Sequence, residues 1–339
     1  MLEHGGNLRD AVRHFARPFD DWLDLSTGIN PHFYPAPTVA ANAWHRLPEH
    51  SDALLLAAQQ YYRAPRMLAV AGTQAAIQAL PRLRPPGRVV VSAPSYAEHA
   101  YQWRQAGHVV SDCTYDSLGA AVADADVVVL CNPNNPTGEM IAPDLLLTWA
   151  AQLAQRGGGL IVDEAFADTQ PDISVVMRSQ QPGLIVLRSI GKFFGLAGIR
   201  LGFVAAGADL LTQLANYLGP WSISGPAQQI AIAALTDMQW QTETARRLKR
   251  DGERLHQLLE QHGMYGAGTD LFQWCSDQAL HAQTGQLWQF MAERGIWVRL
   301  FAKAPFRPHG LRFGLPGSEA GWLRLQAALD EFTGKDIVT

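Results

Sequence analysis

The sequence predicts an α/β protein in which a mainly parallel sheet is covered by helices on both faces, joined to a smaller subdomain of strands and helices. Two patterns predict it. Between about residues 50 and 205, helical segments alternate with short β-branched runs. Several of these runs, such as 88–92 (RVVVS) and 126–131 (DVVVLC), are apolar at consecutive positions rather than at every second one. A strand with one wet face alternates, whereas a strand apolar throughout is covered on both faces, and the interleaved helices supply that cover as crossovers. After about residue 235 the texture changes to a long, charged, amphipathic stretch at 242–261, followed by shorter runs.

Taken in order, residues 54–62 read as helix, 67–71 as a strand ending at Gly72, and 74–83 as helix. A strand at 88–92 precedes a helix at 96–106, and the strand at 126–131 precedes a helix at 143–155. Strands at 160–163 and 184–187 complete this region, and Gly157-Gly158-Gly159 reads as the turn that stops a helix before a strand. Runs at 296–301 and 311–315 belong to the subdomain, with Pro220 and Pro226 near its boundary.

The bulk numbers exclude several classes. With 339 residues, 47% hydrophobic and 17% charged, the chain has ample material for a core and does not read as disordered. A formal charge of -4 gives no electrostatic reason to expect nucleic acid. Three widely spaced cysteines (Cys113, Cys131, Cys275) form no CxxC pair, which argues against a disulfide framework or zinc ribbon and fits a reducing compartment. The eleven histidines include no HExxH spacing, so no metal is expected. The N-terminus is polar and no run approaches the ~20 apolar residues that span a bilayer, so a soluble, cytoplasmic protein with no membrane contact is expected.

Four motifs carry chemistry. The strongest is SIGKFFGLAGIR at 189–200, where Lys192 sits among small residues directly after an apolar strand and Arg200 follows eight positions later. A lysine that acts as a Schiff-base nucleophile needs a partly desolvated setting to expose its free amine. Ser189 and the planar fork of Arg200 suit a phosphate. A nucleotide phosphate loop fails here, because Val186 stands where that loop needs glycine and Phe193 where it needs Ser or Thr. Asp163 ends the strand at 160–163, where open α/β sheets place their ligands. Beside a pyridine nitrogen its carboxylate would favour the pyridinium; alone it reads equally as a metal ligand or helix cap. CNPNNPTG at 131–138 is a proline-stiffened loop whose asparagine amides can donate to a phenolate, or else an ordinary crossover turn. AGTQ at 71–74 places Gly72 and Thr73 at a helix start suited to a phosphate, and Tyr96 opens the next helix where its ring can stack.

In this order, AGTQ, Tyr96, NPNNPTG, DEAF (163–166) and the Lys192 motif, the chain resembles the aspartate-aminotransferase superfamily of fold-type I pyridoxal-phosphate proteins over nearly its whole length. The resemblance implies a homodimer with a large cofactor domain at 36–224 and a small α+β domain formed by 1–35 and 225–339. It implies that Gly72, Thr73, Ser189 and Arg200 bind the phosphate of pyridoxal 5'-phosphate and that Tyr96 stacks on its ring. Asn135 would bond the phenolic oxygen, Asp163 the ring nitrogen, and Lys192 would carry the cofactor covalently and later shuttle protons.

Within the superfamily, HGGN at 4–7 and LSTGINP at 25–31 resemble the threonine-phosphate decarboxylases of cobalamin biosynthesis, with the histidinol-phosphate aminotransferases as the alternative. Phe166, where aminotransferases commonly have tyrosine after DEA, favours the decarboxylases. That resemblance implies a phosphorylated amino-acid substrate, bound by His4, Gly5, Thr27, Gly28, Asn135, Arg299 and Arg312, with the two arginines and His4 as anion handles. Two features depart from the family pattern: Leu47, in Arg46-Leu47-Pro48, replaces the tyrosine that commonly reaches the partner subunit's cofactor phosphate, and Phe166 removes one bond to the phenolic oxygen. A third reading, a pyridoxal-type fold kept only for binding, is disfavoured because Lys192 and Asp163 are both retained.

Overall fold

A computed structural model describes residues 5–301 and 309–334. The strands, in chain order, are β1 (Leu23–Leu25), β2 (Leu68–Val70), β3 (Arg88–Ser92), β4 (Val109–Cys113), β5 (Val127–Cys131) and β6 (Gly159–Asp163). They continue as β7 (Leu184–Ser189), β8 (Gly202–Ala205), β9 (Ala267–Thr269), β10 (Phe272–Ser276), β11 (Ile296–Phe301) and β12 (Gly310–Gly314). Two compact units result. One consists of 33–135 and 139–245, and the other of 136–138 with the described parts of 1–32 and 246–339. Residues 225–245, expected in the small domain, cluster with the large unit, because the helix Gly225–Thr236 packs on the helix Asp52–Tyr62.

The large unit is built on a seven-stranded sheet in the order β2-β8-β7-β6-β5-β3-β4. Strands β3 to β7 pair in parallel, and β8 runs antiparallel to both β7 and β2. Every residue of β5 and β6 is buried, as consecutive apolar residues require of a strand covered on both faces. One core beneath the sheet gathers Val89, Val91, Val127, Val129 and Ile161 with Ile77 and Trp103 from the helices that cover them. The covering helices start where local chemistry allows. Ser51 accepts from the Leu54 amide (3.2 Å) to cap the helix Asp52–Tyr62, and Pro143 occupies the first turn of Pro143–Ala154.

In the small unit, β1-β11-β12-β10-β9 form a five-stranded sheet that is antiparallel except for the β1–β11 pair. The amphipathic stretch expected at 242–261 is the helix Met238–Gln261, which begins one turn earlier than its charge pattern suggested. Leu8, Ala11, Trp22 and Ala292 form a small core joined by Phe15 and Trp297, whose rings meet edge to face at 6.1 Å. No described helix is long and apolar enough to cross a membrane.

Candidate active site

The parallel strands β3, β5, β6 and β7 end on one side of the sheet, and the side chains that follow them converge there. The pocket encloses about 740 Å³ including its open mouth, and Tyr96, Asn135, Asp163, Ser189, Lys192 and Arg200 line it with Gly72 and Thr73. A crevice at the carboxyl ends of strands is where an open α/β sheet offers backbone donors and loops to a ligand. All eight residues expected to bind a cofactor are therefore brought together in the large unit.

Each is positioned by identifiable local chemistry. Lys192 is half-buried, with its ammonium 5.4 Å from the Phe166 ring centre, and Phe193 and Phe194 behind it are fully buried. Phe194 stacks on Trp240 at 5.6 Å and its carbonyl accepts from the Tyr34 amide at 2.8 Å, which anchors the lysine loop from its far side. At the other strand end, Gly72 has φ +71 immediately before the helix at Thr73, and a β-carbon there would lie 2.6 Å from Arg200 Nη2. Only glycine lets the guanidinium approach so closely, and it also tolerates that backbone conformation. Arg200 Nη1 donates to the Ala197 carbonyl (3.0 Å), while Ser189 Oγ accepts from the Gly191 amide (3.2 Å).

The three asparagines of the NPNNP loop divide their work. Asn132 brackets the loop from within, since its side-chain amide donates to the Ile141 carbonyl (3.1 Å) and its side-chain oxygen accepts from the Ile141 amide (2.8 Å). Asn134 donates to the Pro94 carbonyl at 2.7 Å. Asn135, half-buried, is the one that lines the pocket.

The sequence reading missed His99. It lies one helical turn beyond Tyr96, and its buried Nε2 sits 2.9 Å from Asp163 Oδ2. The spacing Tyr96-x-x-His99 on a helix start was the available signal, because residues three apart share a helix face. Burial works against a proton on His99, but hydrogen bonds to Asp163 and Cys131 and the charge of both outweigh it, raising its pKa from 6.5 to about 10. Nε2–H therefore donates to Asp163, whose other oxygen accepts from the Ala165 amide at 3.1 Å. A group whose pKa rises on folding stabilises the fold below its unfolded pKa, and that contribution disappears as pH climbs through the folded value. The thermal stability of the protein relative to His99→Asn should accordingly be greatest near pH 6 and shrink between pH 7 and 10. Melting curves of both proteins across that range check this, and a constant difference would refute it.

In the small unit a second cluster forms around β11 and β12, where Arg299 and Arg312 are direct cross-strand partners. Arg312 is buried and donates to the Ser26 carbonyl at 2.8 Å. Burial, and then the neighbouring Arg299, weaken its hold on its proton, with Asp24 partly offsetting them. Two cations side by side, one desolvated, make a place where an anion relieves repulsion. Gly5 belongs to the same cluster: a side chain there would collide with the Ser26 carbonyl (2.5 Å), and its next contact would be Arg299. The Gly6 amide donates to Ser26 Oγ (2.9 Å), Thr27 is half-buried, and Gly28 is buried in the same segment. His4 lies outside the described residues.

These sites define a class: an α/β protein whose pocket, at the carboxyl ends of parallel strands, is lined by a half-buried lysine, a buried carboxylate, and serine, threonine and arginine side chains. The donor set fits pyridoxal phosphate, with the Arg200 guanidinium close against Gly72 at the start of the helix at Thr73. The chain belongs to the aminotransferase class I and II family, whose model matches residues 23–331. It is 50% identical to a threonine-phosphate decarboxylase of Pseudomonas aeruginosa over 97% of both chains, and 42% identical to one of Sinorhizobium sp over 97% of both. In fold it is similar to the crystal structure of histidinol-phosphate aminotransferase from Sinorhizobium meliloti in complex with pyridoxal-5'-phosphate. That match has a TM-score of 0.80 at 23% identity and covers 98% of this chain and 95% of that one.

Proposed function

We propose that this chain decarboxylates L-threonine O-3-phosphate to (R)-1-amino-2-propanol O-2-phosphate, a step of cobalamin biosynthesis, using pyridoxal 5'-phosphate. The observation that carries the reading is the pairing of Lys192 and Asp163 in one pocket, together with 50% identity over 97% of a threonine-phosphate decarboxylase. When bound, the cofactor supplies a conjugated, protonated ring that accepts the electron pair left on Cα as carbon dioxide departs.

The protein's residues do the rest. Asp163, which accepts from His99 Nε2, would keep a proton on the ring nitrogen. Asn135 would donate to the phenolic oxygen, Tyr96 would pack against the ring, and Gly72, Thr73, Ser189 and Arg200, which line the same pocket, would hold the phosphate. Lys192 Nζ would carry the cofactor between turnovers and would supply the proton for Cα. Arg299 and Arg312 take the substrate's anionic groups, with Gly5, Thr27 and Gly28 shaping the surface beside them and His4 as a further handle. Reaction choice would follow from which bond to Cα the protein's residues present for cleavage. A phosphate bound remotely spends its binding energy turning the carboxylate into position for that cleavage. The enzyme works as a homodimer in the cytoplasm, a reading supported by exposed Trp44, Leu47 and Trp221 on the large unit and by three free cysteines.

Offering phosphothreonine to the purified, cofactor-loaded protein should release carbon dioxide with no transfer of the amino group to a keto acid. Ready transamination of histidinol phosphate without carbon dioxide would replace this reading with the aminotransferase alternative.

A further inference from the structure

Directly behind the pocket, one residue beyond Asp163 and one before Ser189, lies a buried ionic cluster. Arg188 Nη1 donates to Glu164 Oε2 at 2.8 Å, and Nη2 pairs with Asp168 Oδ2 at 3.3 Å. All three side chains are almost wholly removed from solvent. Glu164 is held further by the Val175 amide (2.8 Å to Oε1) and the Ser174 hydroxyl, and Asp168 by the Tyr61 hydroxyl (3.1 Å). The guanidinium lies 4.5 Å from the Tyr62 ring centre. The cluster thus ties the ends of β6 and β7 to each other, to the helix Asp52–Tyr62 and to the turn at 174–175.

Its place in the sheet gives it meaning. Side chains alternate along a strand, so while Leu187 pairs with Asp163 across β6 and β7, Arg188 and Glu164 meet one position further on. The Glu164 amide also donates to the Leu187 carbonyl at 2.9 Å. Asp163 and Ser189 are thereby the immediate chain neighbours of the two halves of a rigid, bidentate-capable pair. Burying two carboxylates with one guanidinium is a poor way to gain stability, since apolar replacements of similar volume usually serve as well. A fixed spacing between two strand ends is what the directional fork of an arginine provides and apolar packing does not.

We propose that Arg188 is a positioning residue of the cofactor pocket, which through Glu164 and Asp168 sets the distance between Asp163, at the ring-nitrogen end, and Ser189, at the phosphate end. The proposal rests on the pyridoxal-phosphate reading of the pocket. It is tested on the full-length protein with two variants, the charge-free Arg188→Met/Glu164→Gln/Asp168→Asn and the charge-keeping Arg188→Lys. For each, the dissociation constant of pyridoxal phosphate, the pH dependence of the bound cofactor's visible absorbance and the thermal midpoint are measured.

The charge-free variant should unfold cooperatively yet bind the cofactor about tenfold or more weakly, the scale on which residues behind a ligand tune its hold. Its visible transition should move in pH, because Asp163 no longer meets the ring as before. Arg188→Lys, which keeps the charge and loses the fork, should fall between it and the parent. Parent-like affinity and parent-like visible titration in the charge-free variant, with only the thermal midpoint changed, would overturn the proposal. If that variant does not fold, unchanged cofactor affinity in Arg188→Lys overturns it alone. Failure of the parent protein itself to bind pyridoxal phosphate would instead remove the underlying reading.

Discussion

Replacing Lys192 with alanine should abolish the visible absorbance of the cofactor-loaded protein and lower turnover by at least about 10⁴-fold. Two functions are lost at once. The amine is the group that carries the cofactor, and a positioned proton carrier alone contributes about 10²- to 10⁴-fold. The setting of Lys192 makes the effect specific, since it is half-buried against Phe166 in the pocket, whereas Lys249 is exposed on the helix Met238–Gln261. Lys249→Ala therefore serves as the control and should leave both absorbance and turnover at the parent level. Retained absorbance in Lys192→Ala would show that another group carries the cofactor.

The second large effect is expected of Asp163→Asn. The substitution keeps shape and removes charge, so the pocket should still fill while the ring nitrogen loses its counter-ion. An opposite charge within about 4–6 Å shifts a pKa by about 1–3 units, and each unit is about 1.4 kcal/mol. Because Asp163 is buried and fixed by His99 and the Ala165 amide, the upper end of that range applies, and turnover should fall by about 1000-fold. KM should change far less than kcat, since substrate anions are met by other residues. Steady-state kinetics with phosphothreonine separate the two, and a loss confined to KM would contradict the assignment.

Most of the large unit was legible because its strands are buried on both faces. Consecutive valines leave little choice of element, and β3 was placed to the residue. Strands β4 and β8 escaped for opposite reasons. At the sheet edge, β4 (VVSDC) has a mixed sequence and partial exposure. β8 follows a loop that reads as functional, and its antiparallel pairing with β7 has no separate signature in the local sequence. The lining of the pocket was legible where a motif at a strand end singles out one residue, as with Lys192, Asp163 and Asn135. His99 was missed because its spacing from Tyr96 marks only a shared helix face, and its partner is visible only once β6 brings Asp163 to within 2.9 Å. Arg188, Glu164 and Asp168 look like ordinary charged residues in sequence, and only the pairing of β6 with β7 turns them into one cluster. Likewise, Arg299 and Arg312 were both expected as anion handles, but that they are direct cross-strand neighbours was visible only through the β11–β12 register.

The most direct measurement is to load the protein with pyridoxal phosphate, reduce it with borohydride, digest it and locate the pyridoxyl label by mass spectrometry. The sequence offers few destinations, since its only lysines are Lys192, Lys249, Lys303 and Lys335. Label on Lys192, in stoichiometric amount and absent from Lys192→Ala, is the expected result. Label on one of the other three, or none on a protein that still releases carbon dioxide from phosphothreonine, would contradict the central assignment.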